Sequence, residues 1–307
     1  MKVLLAGASG VLGRPTTQQL VAAGHEVIGL ARSDAAAEVI RSLGGTPVRG
    51  DVLDADSTRV AAVGVDAVVN LSAAVPLGTD VKQATKENDR VRLEGTRNLL
   101  AAAEAGGAKV YVHESLLYVY GDWGRTWVTE GTESTGTLAP SALEAEGLVQ
   151  ASGLPWVILR YGSVYGREAW HTQLMVSQLK KRLLPIVGDG ANYWSLVHAE
   201  DAGRATALAV EDAADSSIYN VCDDEPVTMA DLFTYLAAQL GVQPPMKVPA
   251  LVARMAIGGD ATDLLASSIR MSNRAIKQDL DFEPRYPTYR EGLAEVLSAP
   301  VPEAVVE

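Results

Sequence analysis

The stretch KVLLAGASGVLGR, residues 2–14, decides how the rest of the chain is read. KVLLA is an apolar run of strand length, and glycines at positions 7, 10 and 13 break the pattern after it. Residues 11–23 then carry a helical pattern. A strand, a glycine-rich turn and a helix in that order offer unpaired backbone N–H groups and a positive helix end to an anion. The glycines permit the tight turn and let a pyrophosphate approach the backbone. Gly7, Ser9, Gly10, Val11, Leu12 and Gly13 are therefore candidate cofactor-binding residues.

Outward from that turn, strand and helix patterns alternate. HEVIGLA (25–31), TPVRG (46–50), VDAVVNLSA (65–73), AKVYVHES (108–115) and PWVILR (155–160) read as strands. Helices fall at 34–43, at 54–62, in a long segment ending near Ala105, and in the segment before PWVILR that starts near Thr137. Such alternation predicts an α/β fold, a Rossmann-type doubly wound parallel sheet with helices on both faces. After Gly166 the alternation breaks down into helices at 169–183, 199–213 and 228–240, with one more strand at SIYNVC (217–222). The expected organisation is a dinucleotide-binding core at 1–166, to which 198–222 returns. A smaller substrate-binding lobe, 167–197 and 223–300, covers the carboxyl ends of the strands.

Composition narrows the function. The 307 residues are 48% hydrophobic with a formal net charge of −12, which argues against nucleic acid or an anionic membrane as partner. The apolar run at the N-terminus is too short for a signal peptide, and no run long enough for a transmembrane helix occurs after it. A lone cysteine, Cys222, excludes an internal disulfide and suits a cytoplasmic protein. His25, His113, His171 and His198 lack metal-ligand spacing, so no metal site is expected.

An NAD site usually places an acidic residue at the end of the second strand, where it holds the ribose hydroxyls. Here that position reads Gly29-Leu30-Ala31-Arg32-Ser33. Arg32 and Ser33, with Arg14 beyond the third glycine, can hold a 2′-phosphate, so NADPH is expected over NADH. Asp51 and Val52 would flank the adenine, and Leu71, Ala73 and Ala74 would line the cofactor at the fourth strand end.

GASGVLG, GDVLD, GTRNLLAAA, LLYVYG, LRYGSVYG, SLVHAEDAGRA and YNVCDDEPVT together resemble the extended short-chain dehydrogenases/reductases, the group of the NAD-dependent sugar epimerases and dehydratases. The resemblance covers nearly the whole chain. It implies a catalytic Ser or Thr before the VYG motif, then Tyr-x-x-x-Lys on the next helix. In this sequence those positions hold Leu116, Leu138 and Ala142, and the family's structural asparagine becomes Arg92. The resemblance also places Tyr161 and Tyr165 near the nicotinamide. Angucyclinone ketoreductases are similar in keeping the fold without the usual triad.

An intact dinucleotide loop beside a missing proton relay admits two readings. One is an NADPH-dependent ketoreductase of secondary metabolism acting on a polycyclic aromatic polyketide ketone. Such a ketone, hydrogen-bonded to its own phenol, carries its activation with it. The other is a non-catalytic NADP(H)-binding redox sensor. For the ketoreductase, Tyr118 is the candidate proton donor, because it would share a strand face with Leu116, and Ser115 is its neighbour. Trp123, Trp127, Tyr165 and Trp194 are candidate walls for a flat substrate. The sequence leaves the oligomeric state open.

Overall fold

A computed structural model describes residues 1–73, 81–212 and 216–301. Seven parallel strands form its central sheet: β1 (Lys2–Ala6), β2 (Glu26–Ala31), β3 (Thr46–Arg49), β4 (Ala67–Asn70), β5 (Val110–Leu116), β6 (Trp156–Tyr161) and β7 (Ser217–Val221). Their spatial order is β7-β6-β5-β4-β1-β2-β3, so the strand order reverses between β1 and β4. In open sheets of this kind a ligand binds outside the carboxyl ends at that reversal.

Helices α1 (Gly13–Ala22), α2 (Asp34–Ser42), α3 (Ala55–Ala61), α4 (Val81–Gly106) and α5 (Pro140–Gln150) follow the first five strands. Then come α6 (Trp170–Lys180), α7 (Ala199–Asp212), α8 (Met229–Gln239), α9 (Ala250–Ile257), α10 (Gly259–Ala266), α11 (Arg274–Asp279) and α12 (Tyr289–Leu297). Alternate residues of each strand feed two cores. Val3, Leu5, Val69 and Leu159 pack with Leu20 of α1 and Ala205 of α7. Leu4, Val68, Tyr111 and Ile158 pack with Leu99 of α4 and Val149 of α5 on the other face. A third cluster joins α6, α8 and α12 through Val176, Phe233 and Leu293.

Local signals explain the boundaries. Ser33, Asp54, Thr228 and Thr288 each accept a backbone N–H at the start of α2, α3, α8 and α12, and Thr288 forms a capping box with Glu291. Pro140 sits in the first turn of α5, where its missing N–H costs nothing, so that helix starts later than its apolar pattern suggests. One expectation fails at β5. The strand stops at Leu116, and Leu117–Tyr120 turns into a 3₁₀ segment. Two glycines are the cause. Gly121 takes φ +78°, and a side chain on Gly136 would strike the Tyr118 carbonyl. The loop thus closes over the turn and pulls it off the sheet.

Among the described residues no helix is long and apolar enough to cross a membrane, and no group of His, Cys, Asp and Glu is arranged to hold a metal ion.

Candidate functional site

The phosphate loop is built by close approach. Gly7 adopts φ +84°, and a Cβ there would lie 2.4 Å from the Leu71 carbonyl oxygen. A Cβ on Gly13 would lie 2.0 Å from the Gly7 carbonyl oxygen. No side chain larger than hydrogen fits either position. Unlike α2, helix α1 has no side-chain cap, because Leu12 holds its N-cap position. The Arg14 N–H already donates to the Gly10 carbonyl and Pro15 has no N–H, so the Gly13 N–H is the first-turn amide left to a phosphate. The cradle fits a dinucleotide pyrophosphate.

Around that cradle the candidates divide. Arg32 is exposed at the end of β2, and the Ser33 hydroxyl accepts the Ala36 N–H as the cap of α2, which leaves its O–H able to donate. Arg14 is engaged elsewhere: its Nε donates to the Ser9 carbonyl at 2.9 Å, and its guanidinium pairs with Glu168 at 2.8 Å. It braces the loop against the segment before α6 and is not the free phosphate ligand that its position suggests. Asp51 accepts the Leu53 N–H, and Val52 is buried against Gly95. Leu71 is buried and Ala73 exposed at the end of β4, whereas Ala74 lies outside the described residues. Asn70 fixes this corner, donating to Thr96 and accepting from Ser72.

At the other half of the sheet, the positions of the missing relay are apolar. Leu116 ends β5, Leu138 is 37% exposed just before α5, and Ala142 is buried in a cluster with Leu117, Val119 and Met271. Arg92 reaches from α4 to the Ser141 hydroxyl of α5 at 3.2 Å.

The two proton-donor candidates fall in different settings. Ser115 is fully buried and donates to Glu146 at 2.6 Å, because odd-numbered residues of β5 face the α4–α5 layer. Glu146 is further held by Arg160 through two bonds of 2.9 and 2.6 Å, so this serine belongs to a structural network. Tyr118 lies on the 3₁₀ turn, half-buried, with Ser163 beside its hydroxyl. Burial raises its pKa and the Ser163 hydrogen bond opposes that rise, so the phenol keeps its proton.

Tyrosines and tryptophans are also redistributed. The Tyr161 hydroxyl pairs with Thr206 of α7 at 2.7 Å, so its ring is packed away from a ligand. Tyr165 is 3% exposed with its hydroxyl against Gly292 of α12, inside the lobe core. Trp194 donates to the Leu265 carbonyl and meets Phe233 edge-on, again in that core. Tyr165 is too buried to be the substrate wall that the sequence suggests, because composition cannot tell a core aromatic from a pocket aromatic, whereas Trp194 keeps a half-exposed edge. Trp123 donates to the Tyr120 carbonyl at 2.9 Å. Trp127 stays 46% exposed, and the Arg270 guanidinium stacks 4.0 Å over its ring and 4.9 Å over Tyr193. His198 is structural, packed between Tyr165 and Tyr286.

Two further polar groups lie on β5. His113 is 2% exposed with neither ring nitrogen hydrogen-bonded among the described residues. Burial, aided by the Arg92 charge, depresses its pKa to about 3. Glu114, next to it, faces the opposite side of the sheet. The signal for both is present in the chain: polar residues in the middle of a buried strand.

A family model described as the NAD dependent epimerase/dehydratase family matches residues 3–222. The chain belongs to that family. It is 32% identical over 309 residues, covering 95% of this chain and 99% of the relative, to a 3-diazoavenalumate denitrifying reductase of a Streptomyces species. It is 28% identical, over 83% of this chain and 78% of the relative, to a 4-hydroxy-2-methyl-3-oxo-4-farnesyl-3,4-dihydroquinoline-1-oxide ketoreductase of Stigmatella aurantiaca. Among solved structures it resembles the dTDP-glucose 4,6-dehydratase DesIV of Streptomyces venezuelae with NAD and TYD bound. The identity is 26% and the TM-score 0.78, over 97% of this chain and 96% of that one. The fold is also that of the human epimerase family protein SDR39U1 with NADPH, with 21% identity and TM-score 0.79 over 98% of this chain and 100% of that one.

Proposed function

We propose that this protein is an NADPH-dependent ketoreductase of secondary metabolism that reduces a ketone of a polycyclic aromatic polyketide without a Ser-Tyr-Lys relay. The observation that carries this reading is the pairing of an intact phosphate cradle with three apolar side chains, Leu116, Leu138 and Ala142. Relatives named as a reductase and a ketoreductase support the oxidoreductase class. Bound in the cradle, NADPH would supply the hydride. Gly7 and Gly13 would admit its pyrophosphate, and Arg32 would meet the 2′-phosphate.

Leu116 and Leu138 would exclude water and orient a flat acceptor. A general acid is worth about 10²–10⁴ in rate, and a ketone hydrogen-bonded to its own phenol supplies that proton itself. The lobe at 167–197 and 223–300 would close over the acceptor, with Trp123 and Trp127 nearest its mouth. The compartment consistent with the sequence is the cytoplasm.

A second acceptor is suggested by the relative that reduces a diazo compound. Hydride addition to an aryl diazonium nitrogen needs no proton in that step, which suits the same apolar site.

The test is NADPH oxidation by the purified protein with hydroxylated polycyclic ketones and, in parallel, aryl diazo acids. Turnover of the ketones, surviving Tyr118→Phe, supports the reading. Turnover of the diazo acids alone replaces it with the second. Tight NADPH binding with no turnover of either would sink both and leave a redox sensor.

A further inference from the structure

Two of the fully buried carboxyl groups in this fold are held by hydrogen bonds. Glu146 holds Ser115 and Arg160, and Asp201 accepts the backbone N–H groups of Arg285 and Tyr286. Glu114 is different. It is half-buried near the carboxyl end of β5, where burial raises its pKa and the Arg92 charge opposes that rise, and it makes no hydrogen bond among the described residues. Its partial desolvation is offset within the described residues by the Arg92 charge but by no hydrogen bond. A cation bound beside it would supply the partner it lacks among the described residues.

The sheet says which partner. Glu114 is in register with Leu159, and Leu116 with Tyr161, on the face opposite His113 and Ser115. A doubly wound sheet binds one mononucleotide in each half, across the point where strand order reverses. The phosphate cradle and Arg32 belong to the β1–β2 half, so the nicotinamide half falls over β4, β5 and β6.

We propose that Glu114 faces the nicotinamide of the bound cofactor and, as a carboxylate, favours the oxidised cationic ring over the reduced neutral one. The inference rests on the cofactor reading above. It gives the protein a direction: the site strengthens the bound cofactor as a hydride donor. That suits a reductase whose acceptor receives no help from a proton relay.

Charge sets the sign. Burial raises the Glu114 pKa, with Arg92 of α4 opposing. Tyr161 of β6 also faces it, and burial holds that phenol protonated. Thr206 of α7 is engaged by Tyr161, and His113 lies on the far face, neutral. Bringing a cationic ring close lowers the carboxyl pKa, whereas the neutral ring does not. Raising the pH must therefore strengthen NADP⁺ binding relative to NADPH. The cofactor phosphates titrate alike in both forms and cancel in the ratio.

The experiment measures dissociation constants for NADP⁺ and NADPH by calorimetry, from about pH 5 to about pH 9, on the full chain and on Glu114→Gln and Glu114→Asp. In the wild type the preference for NADP⁺ is expected to grow about tenfold across that range, equivalent to about one unit of pKa change on binding. Glu114→Gln should flatten the profile and lose about that factor at the alkaline end. Glu114→Asp should keep its direction. A Gln variant with the wild-type ratio at every pH overturns the proposal, as does one that loses both forms equally, which would make the side chain merely structural. A wild type that binds neither form overturns the cofactor reading itself, and this inference with it.

Discussion

Leu138 stands at the threshold of α5, 37% exposed, where the family resemblance calls for a tyrosine. Restoring that phenol alone gives it no lysine, since Ala142 is packed against Leu117 and Val119. We predict that Leu138→Tyr changes kcat by less than about threefold, because an untuned phenol supplies little of what a general acid can. Ala142→Lys should instead destabilise the fold by roughly 2 kcal/mol or more, the cost of an unpaired buried amine, as chemical denaturation would show. Arg32 is legible in the sequence by its place at the end of β2, and its exposure agrees with a ligand-facing role. Replacing it with Ala should raise the KM for NADPH about tenfold or more while leaving the KM for NADH unchanged. Arg14 is equally basic and equally visible in the sequence. Its role is hidden there by Glu168, more than a hundred residues away in sequence and 2.8 Å away in space.

At the scale of elements, α5 keeps its place through Glu146, which gathers Ser115 of β5 and Arg160 of β6. Removing one side of a buried, hydrogen-bonded ion pair strands the other. Glu146→Leu is therefore predicted to cost about 3–5 kcal/mol, read from urea midpoints at unchanged slope. The strands and the capped helices are readable because each carries a local rule: an apolar run, or a Ser, Thr or Asp before a helical pattern. The turn at Leu117–Tyr120 is not, because it depends on Gly136 meeting Val119 through a backbone hydrogen bond across the following loop. Without that contact in view, Tyr118 reads as a residue on a strand face. Ser115 is simpler, since strand alternation already turns it away from Leu116, and the structure seats it against Glu146 on that other face.

Across the whole molecule, the alternating pattern predicts a doubly wound sheet, and the β7-β6-β5-β4-β1-β2-β3 order agrees with it. Global stability should carry the mark of His113. Its folded pKa is about 3, below the ordinary value of about 6.5, so the unfolded chain binds the extra proton. Its contribution is complete above about pH 6.5 and is lost as pH falls toward the folded value, at up to about 1.4 kcal/mol per pH unit. Denaturant midpoints at falling pH should show that slope, and His113→Leu should remove one proton's share of it. Where the aromatic side chains gather is the least legible feature at this scale. Tyr165 and Trp194 fill the lobe core beside Phe233 and Gly292, and only the assembled fold reveals it.

Cys222 is fully buried at the end of β7, and burial raises its thiol well above the usual range. At neutral pH it offers almost no thiolate to an alkylating reagent. The native chain is thus chemically silent toward maleimides without any engineering. A cysteine introduced at exposed Leu138 would be the single labelling handle on the molecule. A dye attached there, beside the apolar positions that replace the relay, would report the arrival of an acceptor by fluorescence.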